Sequence, residues 1–209
     1  NKCDCACTFC IRSHQDGVGE SETLWHKKDP GLEEVLSAFD AFDFNGYDEL
    51  IYCGYGEPTC ALDILTESAR YAKEKYGIRI RANTNGLANL YYGRDVIPDL
   101  AEVVDCVSIS LNAPTAEEYT AVTRPRFENA FEGMLEFASE CAKKSNRSGS
   151  RSWMFFRRKT SKRAADWLIQ WESGSECGIS HRKQKIKNGK VHQYLKDVLF
   201  LWYAATKYI

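Results

Sequence analysis

No apolar run in this chain is long enough to cross a bilayer, so no membrane-spanning helix is expected. Histidine is scarce: His14, His26, His181 and His192 show no ligand-like spacing and receive no role. There is no initiator Met and no basic-then-apolar leader, and Asn1 stands directly before a group of cysteines. That start reads as a cut end. Proline is absent from the last third, where all five prolines are missing but four of the five tryptophans fall.

Net charge is also nearly absent, at −1, but the balance hides a division. Residues 1–144 hold 14 Lys/Arg against 25 Asp/Glu, a net −11; residues 145–209 hold 14 against 4, a net +10. Two compositions meet near Ser145. A length of 209 residues allows one substantial core, or one domain and a tail. We read residues 1–144 as the domain and 145–209 as an irregular basic tail.

Cysteine is what the chain has in excess. Four of the nine crowd into residues 3–10, too close in sequence to staple distant parts of a domain. Cys53, Cys60, Cys106, Cys141 and Cys177 are scattered; Cys53 and Cys106 sit in apolar runs and read as small buried hydrophobes. This usage fits a reducing cytoplasm better than an oxidising compartment.

The first 144 residues alternate helix and strand. Asp29-Pro30 reads as a helix start, a cap followed by Pro in the first turn. Leu32, Val35, Leu36 and Phe39 form one apolar stripe, and Asn45-Gly46 a turn. Residues 50–53, 78–82 and 107–111 read as strands. Residues 61–76 read as a helix stopped by Gly77. Further helices are expected within 96–103, after Pro114-Thr115, and over 127–144. Strand centres recur roughly every 28 residues, the length of a strand and its crossover helix. That pattern argues for parallel strands covered by helices, with ligands at the carboxyl ends of the strands. The unusual sequences fall at those ends: Gly54-Tyr55-Gly56-Glu57-Pro58, Asn83-Thr84-Asn85-Gly86, and Asn112 with its neighbours.

Cys3-x3-Cys7-x2-Cys10 offers three thiolates on one short loop. A cubane cluster normally takes four protein ligands, so three leave one iron open to a cofactor or substrate. A zinc knuckle is the alternative, but no paired second half is present. Cys5 falls outside the spacing and is either a bystander or a substitute for a neighbour.

The run Cys3-x3-Cys7-x-Phe9-Cys10, with its aromatic residue before the third cysteine, resembles the signature of radical S-adenosylmethionine (SAM) enzymes. The resemblance implies a [4Fe–4S] cluster on Cys3, Cys7 and Cys10, whose open iron is chelated by SAM. One electron then cleaves the sulfonium bond to methionine and a 5′-deoxyadenosyl radical. It further implies an electron donor such as flavodoxin or ferredoxin. Gly54, Tyr55, Gly56, Glu57 and Pro58 resemble the segment that cradles the SAM amino group, with Glu57 as acceptor. Asn85, Ser110 and Asn112 resemble strand ends that meet the SAM ribose and carboxylate. Arg124 is placed like an arginine that pairs with that carboxylate, and Phe9 would lie beside adenine.

Cys10-Ile11-Arg12 and residues 52–59, 83–94 and 108–127 most resemble a TatD-associated group of radical SAM proteins. The fold implied is a partial (β/α) barrel of the TIM type. Two departures stand out: the first barrel strand, expected before Cys3, and the later strands, expected after Ser145, are not seen. The substrate is unspecified. Two rival readings are a non-catalytic iron–sulfur or zinc module and a nucleic-acid-binding protein acting through its basic tail.

The tail also reads as a shifted frame. Taking the third base of each codon with the first two of the next, Trp153-Met154 must give Asp and Met154-Phe155 Val. Asp166-Trp167 must give Leu, and Trp171-Glu172 Gly. With the degenerate positions filled permissively, residues 151–180 then read as strand, capped helix and strand. We prefer that reading to a nucleic-acid-binding tail.

Overall fold

The computed structural model describes residues 1–18, 23–148 and 153–157. Its elements are α1 (Leu32–Asp40), β1 (Glu49–Tyr52), α2 (Leu62–Tyr76), β2 (Arg79–Thr84), α3 (Ala88–Tyr92), α4 (Ile97–Val103), β3 (Cys106–Ser110), α5 (Ala116–Thr123), α6 (Ala130–Ser148) and β4 (Trp153–Arg157). Short 3-10 turns occupy Ile11–Ser13 and Pro58–Ala61.

The strands form one parallel sheet in the order β1-β2-β3-β4. Helices carry each crossover, as parallel pairing requires. All strands therefore point their carboxyl ends the same way, and the loops that follow them share one edge of the sheet. The expected α/β class with parallel strands is what the chain adopts.

Local chemistry explains the element ends. Gly77 closes α2 in the left-handed conformation at φ 64°, donating its N–H to the Lys73 carbonyl. Thr115 caps α5 by accepting the Glu118 N–H at 3.2 Å. The start of α1 differs from expectation. Gly31, not Asp29, is the capping residue, and its N–H is taken by Glu34 Oε2 at 2.7 Å. Asp29 instead pairs with Lys2 at 2.9 Å. A flexible carboxylate near a free ammonium has a better partner there than a helix N–H.

The core lies between the sheet and its covering helices. Leu62, Leu65, Ala69 and Ala72 of α2 meet Ile80 and Ala82 of β2, with Leu100, Val103, Met134 and Phe137 from α4 and α6. Burying each large side chain is worth about 1.5–3 kcal/mol. Asp105 joins three elements: it accepts from the Ile80 N–H at 2.8 Å and from Lys73 at 2.7 Å, while its own N–H donates to the Ile80 carbonyl. Cys106 and Cys60 are buried, whereas Cys53 is only half-buried.

Regular structure continues past residue 144. Helix α6 continues to Ser148, and β4 pairs in register with β3 from Cys106↔Trp153 to Ser110↔Arg157. The run Trp-Met-Phe-Phe has the aromatic, apolar character that extends a sheet, and its short length hides it from a periodicity search. The rest of the tail lies outside the described residues. No helix among them is long and apolar enough to cross a membrane.

Candidate cluster and cofactor site

The cysteine loop is pinned by its own backbone to the segment that ends α5. Ala6 N–H donates to the carbonyls of Thr123 (3.1 Å) and Arg124 (3.2 Å), and Thr8 N–H to Val122 (2.9 Å). Arg126 N–H donates back to the Asp4 carbonyl at 2.8 Å, and Cys5 forms an antiparallel bridge with Pro125. A loop rich in polar backbone thus has its N–H groups accounted for without regular structure.

A second attachment runs to the carboxyl end of β1. Glu57 N–H donates to the Lys2 carbonyl at 2.8 Å. Gly56 is required by this approach, since a Cβ there would lie 2.6 Å from the Lys2 oxygen and 3.0 Å from the Asn1 carbonyl carbon. Asn1 continues the tie: its side-chain amide donates to the Leu24 and Tyr55 carbonyls, each at 2.9 Å, and accepts from His26 N–H at 2.7 Å.

Glu57 is 7% exposed and its carboxylate is surrounded by donors of the chain itself. Oε1 accepts from Thr59 N–H (3.1 Å), Thr59 Oγ1 (2.7 Å) and Thr84 Oγ1 (2.7 Å). Oε2 accepts from Asn85 N–H at 2.8 Å. Burial raises its pKa, and these hydrogen bonds act against that rise. The residue therefore joins the end of β1 to the end of β2.

Asn85 extends the junction to the cysteines. Its amide donates to Asp4 Oδ1 and lies 3.6 Å from Cys5 Sγ, while its oxygen accepts from Leu87 N–H at 3.0 Å. Asp4 is buried, which raises its pKa, and the bond from Asn85 opposes that rise. Gly86 sits at φ +79°, with space for a Cβ closed off by Met134 and Ile109 at 3.0 and 3.1 Å.

The thiols share this neighbourhood. Cys5 is pushed up first by a hydrogen bond with Cys7, then by burial and the Asp4 charge. Desolvation by the surrounding protein pushes the Cys3 thiol up to about 11. Among the described residues no three His, Cys, Asp or Glu side chains are already gathered closely enough to hold a metal ion. The donor set nevertheless fits an iron–sulfur cluster in kind. It consists of soft thiols on one loop whose backbone is held against the strand ends.

The remaining candidates divide. Phe9 is half-buried on the cysteine loop, and Gly54 is exposed at the end of β1. Tyr55 is buried against Trp25, ring centroids 5.3 Å apart, and donates its hydroxyl to the Gln15 carbonyl. Its side chain thus packs on Trp25 and reaches Gln15. Pro58 opens the turn that leads into α2. Ser110 ends β3, and Asn112 follows it, buried and left-handed at φ 57°. Arg124 is left-handed at φ 45°, and its side chain is exposed. Its carbonyl, not its guanidinium, reaches the cysteine loop. Asp4 was not foreseen, and the bonds of Thr59 and Thr84 to Glu57 were not either, because a lone Asp or Thr carries no spacing signal and only its partners reveal it.

These features define a parallel α/β protein with a cysteine loop docked on the carboxyl edge of its sheet. The model of the radical SAM superfamily matches residues 1–155, and the chain belongs to that superfamily. A stretch of 63 residues is 43% identical to the putative glycyl-radical enzyme activating enzyme MJ1227 of Methanocaldococcus jannaschii. That match covers 30% of this chain and 24% of the relative, so the chain spans about a quarter of that protein's length.

Proposed function

We propose that this chain carries the cluster- and SAM-binding part of a radical SAM enzyme. Cys3, Cys7 and Cys10 would hold a [4Fe–4S] cluster, which when reduced supplies the electron that splits SAM into methionine and a 5′-deoxyadenosyl radical. The observation that carries the reading is the junction of the Cys3–Cys10 loop with the ends of β1 and β2. Lys2, Asp4, Gly56, Glu57 and Asn85 bring into one place elements separated by up to 81 residues in sequence.

In this reading the chain's residues bind and orient. The backbone of Gly54-Tyr55-Gly56 offers peptide groups to an amino acid moiety, and Glu57 fixes that segment against Asn85. Phe9 supplies a flat apolar face for adenine. Ser110 and Asn112 lie at the next strand end and suit ribose or carboxylate. Arg124 suits the SAM carboxylate by charge, and would have to turn inward from its exposed position.

The finer placement is also a proposal. Residues 52–59, 83–94 and 108–127 favour the TatD-associated group and a partial barrel. The relative's name instead suggests activation of a glycyl-radical enzyme, a protein substrate. An electron donor such as flavodoxin or ferredoxin and a cytoplasmic setting follow from the cluster chemistry.

Anaerobic reconstitution tests the core of the proposal. The full chain is expected to take up about four irons and, with dithionite, to convert SAM to 5′-deoxyadenosine. Serine at Cys3, Cys7 or Cys10 should abolish both. Zinc binding without a cluster, or equal iron uptake by the three serine variants, would overturn it.

A further inference from the structure

Tyr119 of α5 is fully buried, and no partner of good geometry reaches its phenolic oxygen among the described residues. Thr123, one turn on, is close enough to ease the phenol's ionisation, but its own hydroxyl donates to the Tyr119 carbonyl at 2.7 Å. The ring packs on Phe131 with centroids 5.5 Å apart. A phenylalanine would serve that packing equally well. The hydroxyl needs a separate explanation, because buried hydroxyls in folded proteins are almost always hydrogen-bonded.

Its surroundings point to the acceptor. Beyond burial, the groups whose ionised forms would oppose ionisation of the phenol include Cys5, Cys7 and Asp4, all on the cysteine loop. Cys5 packs against the core cluster that contains Tyr119. The same helix is tied to that loop by the bonds from Ala6 to the Thr123 and Arg124 carbonyls and from Thr8 to Val122. The phenol is therefore carried by the element on which the loop is docked.

We infer that Tyr119 is a positioning residue for the cluster, with its hydroxyl donating a hydrogen bond to a sulfur of the loaded cysteine loop. This rests on the cluster reading above. A sulfur that gains negative charge on reduction accepts such a bond more strongly, so the bond stabilises the reduced form and raises the potential. Tyr119 touches no reacting atom and acts through the sulfur.

The test uses the full chain, wild type and Tyr119→Phe, reconstituted anaerobically and followed by redox titration with EPR detection. Tyr119→Phe is expected to load the same iron. Its reduction constant should fall about tenfold, a shift of about 59 mV to more negative potential for one electron. Thr123→Val should leave the potential unchanged. Should Tyr119→Phe not fold, 3-fluorotyrosine at position 119 keeps the hydroxyl as a stronger donor and should move the potential upward. Equal potentials in loaded wild type and the position-119 variant that folds overturn the role of Tyr119 alone. A wild-type chain that loads no cluster overturns the cluster reading and this inference together.

Discussion

Glu57 accepts the Thr84 hydroxyl at 2.7 Å across 27 residues of sequence, joining the carboxyl ends of β1 and β2. The same carboxylate takes the Asn85 N–H, so one buried side chain sets the distance between two loops that both face the cysteines. Glutamine keeps the shape but presents an amide donor to one of these N–H groups. Glu57→Gln is expected to cost about 1–3 kcal/mol, the range for an unsatisfied buried group. Urea unfolding measures it, and an unchanged midpoint would show the junction to be unimportant.

Gly56 gives a sharper steric case. A methyl group there meets the Lys2 carbonyl, which is backbone and cannot swing away. Gly56→Ala is expected to destabilise by about 1–3 kcal/mol and to loosen the cysteine loop. Limited proteolysis within the first ten residues should quicken, while Gly31→Ala, whose added Cβ meets only an ordinary 3.7 Å contact, leaves that cleavage unchanged.

Asp40 carries the clearest pH dependence. Its carboxylate accepts from Lys75, Tyr71 and Tyr76, each at 2.6 Å, and these donors hold its pKa below the ordinary value of 3.8. Because the folded value is the lower one, the contribution is present above 3.8 and lost as pH falls through the folded value. Thermal unfolding of wild type and Asp40→Asn between pH 2 and 7 should show their difference shrinking at the acid end. A constant difference would exclude this carboxylate as the cause.

Asp105→Ala removes two acceptor contacts, from Ile80 N–H and Lys73, and leaves the N–H of Ile80 without its partner. A loss of about 2–3 kcal/mol is expected, in the upper range for a hydrogen bond to a charged group. Hydrogen exchange at Ile80 is the direct measurement, and it should accelerate.

The shifted-frame reading of the tail makes its own prediction. The coding DNA should hold an open second frame through codons 151–180, with the four forced residues in place. A stop codon in that frame would end the idea.

Much of the architecture was legible in the residues. Alternating apolar stripes and short apolar runs indicated parallel strands, Gly77 marked a helix end, and the cysteine spacing identified the superfamily. These signals are local: each lies within one turn, one strand or one loop. β4 escaped because four aromatic and apolar residues in a row have no period of their own; it is a strand because β3 offers it an edge.

The site required the folded chain. The sequence by itself determined three cysteines at fixed spacing and polar residues at the ends of strands, because covalent spacing and hydrophobic period are properties of neighbours. Tertiary structure alone decided that Glu57 faces Thr84 and Asn85, that Asn85 reaches Asp4 across 81 residues, and that the Arg124 side chain points to solvent. A buried carboxylate persists only where donors surround it. Those donors come from segments that meet only once the sheet has brought its carboxyl edge together.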